Sequence, residues 1–460
     1  MRTQPFIAAA AVLALAAQAS AQTQTSAQTK YPATLEGHAI LPAMTVIPAP
    51  ADAPQELQIS GRYAAPGNQR VDTPESVPAT SALSDRAAPR PTGASFPLKG
   101  QPVQGMSGIR NLRDGTFLTL SDNGFGSKAN SPDALLMFHV VKPDWKNGGV
   151  ERVSTMFLSD PDRKVPFRIV NENTPRRYLT GGDFDPESIQ PVGDALWFGD
   201  EFGPFLIKTD RTGKVLQVFE TMVDGKVVRS PDHPSVAMPA VPGAVKFEVR
   251  RSKGFEGMAA SPDGRFLYPL LEGPLLTASG EPEAKDGRRF LRILEFDVEK
   301  GQYTGKSFKY ALEAPANSIG DFNLIDASSG LIIERDDTEG DSAQACLEGA
   351  PKPDCFNVPA KFKRIYKIDM GQADADGFVK KVGYIDLMDI DDPQKLARQG
   401  GKDGKLTFPF FTIENVDIID GDRIVVGNDN NLPFSSGRAL GKVDDNELIL
   451  LKVTDLLRAK

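Results

Sequence analysis

Histidine is scarce in this 460-residue chain: only His38, His139 and His233 occur, and none lies in a repeated segment. No G-x-S-x-G elbow is present either, which argues against a Ser-His-Asp hydrolase. Cysteine is rarer still, with Cys346 and Cys355 alone, so no His/Cys zinc set can be assembled. The 53 Lys and Arg residues never gather into a sizeable basic stripe, and nucleic acid is excluded as a partner on that ground. After the first 21 residues no apolar run approaches the length of a transmembrane anchor. Helical patterning is confined to Pro393–Arg398 and Leu448–Leu457, so the expected class is all-β.

What the chain has in quantity is carboxylate and turn chemistry. Asp and Glu number 61, the formal net charge is -8, and 42 Gly with 36 Pro punctuate short β-rich runs. Residues 1–21 read as a secretory signal peptide, with Arg2 at the charged end, Phe6 to Ala17 as the apolar segment and cleavage after Ala21. The expected location is therefore the periplasm or the medium. Residues 22–34 read as a disordered Gln/Thr/Ser leader, and 35–99 as an irregular N-terminal extension. Within it, Ala39–Val46 or Glu56–Arg62 is the candidate closing strand, and Val71–Pro97 reads as a surface excursion. In an oxidising compartment, Cys346 and Cys355, with eight residues between them in a Gly/Pro-rich loop, are expected to form a local disulfide.

From residue 100 to 460 one grammar recurs. A polar opener leads through an apolar pair and a DG-like turn into a short strand with an acidic or amide end. The openers are Met106-Ser107-Gly108, Asp185-Pro186-Glu187, Phe255-Glu256-Gly257, Gly320-Asp321-Phe322 and Ile413-Glu414-Asn415. The corresponding ends are Asp122-Asn123, Asp200-Glu201, Glu272-Gly273, Glu334 to Asp337 and Asn428 to Asn431. A hairpin places the start of its first strand beside the end of its second. Five such hairpins arranged as a β-propeller would bring every acidic end to one channel mouth. Five or six blades fit, and six are preferred because the loops are long enough to hold another.

So many carboxylates at one mouth repel each other unless a cation offsets them, and Ca²⁺, which takes six to eight oxygen ligands, suits them best. The candidate metal ligands are Asp122, Asp185, Glu187, Asp200, Glu256, Asp336, Glu414, Asn415 and Asp429. Asp and Asn beside Gly are also ordinary turn formers. Glu187, Glu256 and Glu414 resist that reading because they hold the same repeat position in three hairpins. Glu201 and Glu272 are the candidates for general base. Arg335 has the planar fork for a phosphate oxygen, unless it is consumed by its acidic neighbours; Arg110, Arg177 and Arg438 are weaker candidates. Trp197 and Phe408–Phe411 read as packing residues.

The segments GMSGIRNLRDGTFLTLSDNGFG, LTGGDFDPESI, WFGDEFGPFL, GFEGMAASPDG, LLEGP, IERDD and IENVDIIDGDRIVVGNDNN resemble the phytase-like family described by an esterase-like activity of phytase. The resemblance runs from about residue 95 to about 455. It implies an exported β-propeller hydrolase acting on a small-molecule phosphate or carboxylic ester. Three function classes follow: a calcium-dependent phosphoesterase, a calcium-dependent lactonase or carboxylesterase, and a non-catalytic calcium-stabilised binding propeller. The first is preferred, with the chain expected to act as a monomer.

Overall fold

A computed structural model describes residues 28–65, 69–81, 88–236 and 246–460. The proposed signal peptide lies outside these residues. Its chain is all-β, with one short α-helix among the described residues, Thr454–Arg458. None of these residues forms a helix long and apolar enough to cross a membrane.

Four sheets are consecutive antiparallel meanders, each with four long strands, within residues 106–157, 186–220, 255–311 and 318–386. In the next sheet, Thr412–Ile418, Arg423–Asp429 and Asn446–Lys452 follow one another, and the fourth strand comes from the other end of the chain. Thr34–Leu41 pairs antiparallel with Asn446–Lys452, Leu41 opposite Asn446 and Leu35 opposite Leu451. This N-terminal strand edges the last meander, starts earlier than either sequence candidate and reaches into the stretch read as leader. Lys30 and Tyr31 are placed too: Lys30 Nζ donates to Asp389 at 2.6 Å and the Tyr31 amide to the Tyr384 carbonyl at 2.8 Å.

Sheets stacked face to face bury both sides of their central strands, which explains the unbroken runs Leu196-Trp197-Phe198, Leu331-Ile332-Ile333 and Ile424-Val425-Val426. Phe138 meets Phe198 across the first junction at 5.8 Å between ring centroids, and Trp197 meets Phe296 across the second at 5.5 Å. Ile293 with Phe322, then Ile333 with Ile413, carry the apolar contact onward. Val425 and Leu448 pack with Met106 and Phe117, which returns to the first sheet and closes the ring. This is a β-propeller arrangement. No sixth four-stranded meander exists among the described residues. The long loops hold other things: Glu75–Ala79 and Arg90–Phe96 form a hairpin, and Cys346 and Cys355 are disulfide-bonded.

The described parts of this stretch, residues 71–81 and 88–97, are thus more than an irregular surface excursion. Arg90 is completely buried, ion-paired to Glu339 and stacked 4.8 Å over Phe356, the residue after Cys355. A buried guanidinium needs such partners, and they fasten the hairpin to the loop that the disulfide closes.

Two glycines allow the inner strands to approach. A Cβ on Gly320 would lie 2.1 Å from the Ile413 carbonyl oxygen, and one on Gly108 would lie 3.0 Å from Ser188 Cα. Gly108 also has φ +65°, a left-handed conformation. Gly320→Ala is expected to destabilise the fold by about 3 kcal/mol or more, because backbone has to move. Urea unfolding measures this; an unchanged midpoint would mean the inner strands are not packed as described.

Candidate metal and hydrolytic site

The inner strand of each of the five large sheets carries a register shift close to its start. The residues passed over are Gly108, Glu187, Glu256, the pair Gly320-Asp321, and Glu414. A β-bulge leaves its extra residue unpaired, bends the strand and re-aims the side chain. Three of these positions are Glu, and one carboxylate oxygen from each of Glu187, Glu256 and Glu414 falls within 4.8 Å of the others. The repeat position noticed in the sequence is therefore a bulge position, and the bulge turns three acids onto one point.

Two further groups share members with the first. Asp122, Asp185 and Glu187 form one, and Glu201, Glu256 and Glu272 the other, each with oxygens within 4.8 Å. All seven carboxylates line one cavity of about 590 Å³ at the acidic end of the channel. Asp429 and Arg335 line it as well, so the meander ends and inner-strand openers meet there.

The partners of these acids differ. Asp185 accepts from the Asn123 amide at 3.0 Å and the Asn123 side chain at 2.7 Å. Asp122 accepts from the Gly124 amide at 2.9 Å, and Glu414 from Ser107 Oγ at 2.9 Å and Arg335 at 3.3 Å. Glu272 is paired with Lys253 and lies 3.6 Å from Arg335. No hydrogen bond from an N–H or hydroxyl donor reaches the carboxylates of Glu187, Glu201 or Glu256 among the described residues; their nearest charged neighbours are mainly other acids, with Lys253 near Glu201 and Arg335 near Glu256. Burial and then like charge push Asp122, Glu187, Glu201, Glu256 and Asp429 well above the usual carboxylate range. Burial also acts on Glu272, but Lys253 and Arg335 overcome it and hold that carboxyl below its usual range. Clustered buried acids without donors fit a hard divalent cation, which takes oxygen ligands and offsets their repulsion.

Three candidate ligands stand outside the cavity lining. Asp200 accepts from the Asp185 amide at 2.8 Å and the Gly203 amide at 2.7 Å, so it braces the strand that presents Asp185. Asp336 is bound by Lys363 at 3.0 Å and Thr338 Oγ1 at 2.6 Å. Asn415 donates to the Met106 carbonyl and ties the last inner strand to the first. Of the four candidate arginines, Arg335 lines the site; Arg110 is paired with Asp417, Arg177 with Asp160 and Arg438 with Glu447. Trp197 is buried between sheets, and Phe408 and Phe410 are core, whereas Phe411 lines the cavity.

Sequence reasoning missed Lys253 and the apolar wall. Lys253 sits one residue before the Gly254-Phe255 approach to an inner strand, and only that spacing marks it. Ala64, Ala65, Val77 and Pro78, all from the N-terminal extension, line the same cavity as the carboxylates. Nothing in a Pro- and Ala-rich stretch signals such a role.

Burial raises Asp200 and Asp321 each to about 7. Both titrate near 4 when unfolded, so their protonated folded forms contribute stability that is complete below about pH 4 and is lost as pH rises through 7. Metal-free protein is expected to lose roughly 1.4 kcal/mol per pH unit for each group across that window. A urea midpoint that climbs from pH 4 to 7 would contradict the burial of these acids.

Comparison with known proteins agrees with the sequence motifs. An uncharacterised secreted protein of Arthroderma benhamiae is 28% identical over 189 residues, covering 35% of this chain and 36% of that protein. A luciferin-regenerating enzyme aligns over 75% of this chain and 77% of its own, with 11% identity and a TM-score of 0.32. The periplasmic gluconolactonase of Pseudomonas aeruginosa aligns over 83% of this chain and all of its own, with 12% identity and a TM-score of 0.30. Structural likeness at that level carries no argument about activity. The family model described as phytase-like, esterase-like activity of phytase, matches residues 101–432, well over half of the sequence, and the chain belongs to that family.

Proposed function

We propose that this protein is an exported, calcium-dependent ester hydrolase with a preference for phosphate esters. The observation that carries this reading is that Glu187 and Glu256, each shared by two of the three carboxylate groups, accept from no N–H or hydroxyl among the described residues. Asp122, Asp185, Glu187, Glu256 and Glu414 would hold the cation, with Asp429 beside them. When bound, Ca²⁺ supplies charge compensation and polarises an ester oxygen. Glu272, kept ionised by Lys253 and Arg335, takes the proton of the attacking water, with Glu201 as its neighbour. The water oxygen bonds to the phosphorus, the bond to the alcohol breaks, and the proton ends on that alcohol. Arg335 directs its fork at a phosphate oxygen. We read the propeller as five blades, four meanders and the sheet closed by Thr34–Leu41, acting as a monomer after removal of residues 1–21.

A calcium-dependent lactonase or carboxylesterase is the second reading, favoured by the apolar wall of Ala64, Val77 and Pro78. Hydrolysis of a phosphate ester and an acyl ester, before and after chelation, separates the two. Chelator-sensitive cleavage of the phosphate ester is the expected result. Bound calcium with turnover of neither would leave a binding propeller.

A further inference from the structure

We infer that the substrate is a phosphodiester carrying a single negative charge and a compact apolar alcohol, rather than a polyphosphorylated polyol. The inference rests on the hydrolase reading above and concerns what surrounds the acids. Only two cationic side chains stand among the carboxylates of the cavity, Arg335 and Lys253, and both are already shared with Glu272. A third, Arg251, is committed to Asp232 and is largely exposed.

Arg335 is buried beneath the mouth, 3.3 Å from Glu414 and stacked 5.3 Å over Phe411, and its Nε has no hydrogen-bond partner. A buried guanidinium N–H without an acceptor points to one oxygen of a ligand. Seven grouped carboxylates against two cations leave the cavity strongly acidic, and divalent ions would neutralise the acids before they could hold several phosphates. One anionic charge fits this balance; six do not.

Part of the lining is apolar, beside Thr80 and Ser81 of the same stretch. Val77, Pro78, Ala64 and Ala65 of the N-terminal extension, with Phe125 and Phe434, form an apolar wall. Val77 and Ala64 also belong to the apolar cluster that joins the hairpin to Phe125, so the wall is fixed by packing. Burying a methylene there is favourable by about 0.8 kcal/mol. In the reaction the water oxygen bonds to phosphorus, the bond to one alcohol breaks, and that alcohol leaves with the proton taken from water.

The test uses the calcium-loaded mature chain with four probes: methyl p-nitrophenyl phosphate, propyl p-nitrophenyl phosphate, inositol hexakisphosphate and p-nitrophenyl acetate. The propyl diester is expected to exceed the methyl diester in kcat/KM by about tenfold, the effect of two buried methylenes. It is also expected to exceed inositol hexakisphosphate. In Val77→Ser the propyl-to-methyl ratio falls toward one. Equal rates for the two diesters would remove the apolar wall from recognition. Preference for inositol hexakisphosphate would overturn the inference and leave the hydrolase reading standing. Cleavage of the acetate alone would overturn it in favour of acyl chemistry, and turnover of no probe would overturn the hydrolase reading itself.

Discussion

Replacing Glu187 and Glu256 together by Gln is expected to stabilise the metal-free protein and to abolish its response to calcium. Both carboxylates are buried, at 8% and 4% exposure, and neither has a donor among the described residues. Each is pushed well above the usual range by burial and then by neighbouring acids, so folding without a cation carries a penalty that the amides escape. The gain is on the order of 2 kcal/mol in the metal-free state, since the two sites are coupled and their contributions do not add. With calcium the sign reverses, because the wild type gains binding energy that the variant lacks. Hydrolysis should fall by about 100-fold or more, the scale seen when an electrostatic stabiliser of a transition state is removed. Urea unfolding with and without calcium reads both effects. A variant that is less stable without metal, yet equally responsive to calcium, would show that these acids serve the fold and not a cation.

Arg335→Gln is expected to produce the opposite pattern. Its guanidinium lies 2.9 Å from Asp337, 3.3 Å from Glu414 and 3.6 Å from Glu272. Removing it leaves those acids without their shared cation, a loss of about 3–5 kcal/mol for a broken buried pair. The metal-free variant is therefore less stable, and calcium should recover part of the loss by taking over the charge compensation. Cleavage of a phosphate ester should drop by roughly 10²–10³-fold, while a neutral acyl ester changes by less than tenfold. Arg335→Lys keeps the charge but not the fork, so stability should return further than phosphate-ester turnover does. Equal losses on both ester classes would make Arg335 a structural residue.

The acidic ring was legible because repetition singles it out. Glu187, Glu256 and Glu414 share a place in the hairpin grammar, and the bulges explain why that place faces the channel mouth. Bulges themselves are not written in the sequence, since one extra residue in a strand looks like any other. Asp200 and Asp336 misled because an acid at a strand end can turn toward backbone amides or a lysine as readily as toward the axis; here Asp200 meets two amides and Asp336 meets Lys363. The strand beside Asn446–Lys452 begins earlier than either sequence candidate, Ala39–Val46 or Glu56–Arg62. Thr34–Leu41 begins in polar sequence and becomes a strand only because Asn446–Lys452 offers it an edge. The hairpin of Glu75–Ala79 and Arg90–Phe96 was hidden by its prolines, and what fixes it is Arg90, whose partner Glu339 lies far along the chain. Long-range pairing of that kind has no local signature.

Calorimetric titration of calcium into chelator-stripped protein, run beside the Glu187→Gln, Glu256→Gln variant, addresses the central claim most directly. The wild type is expected to bind at least one calcium ion and to recover ester cleavage with the same titration, and the double variant to do neither. Equal calcium binding by both proteins would contradict a cation site at the shared carboxylates.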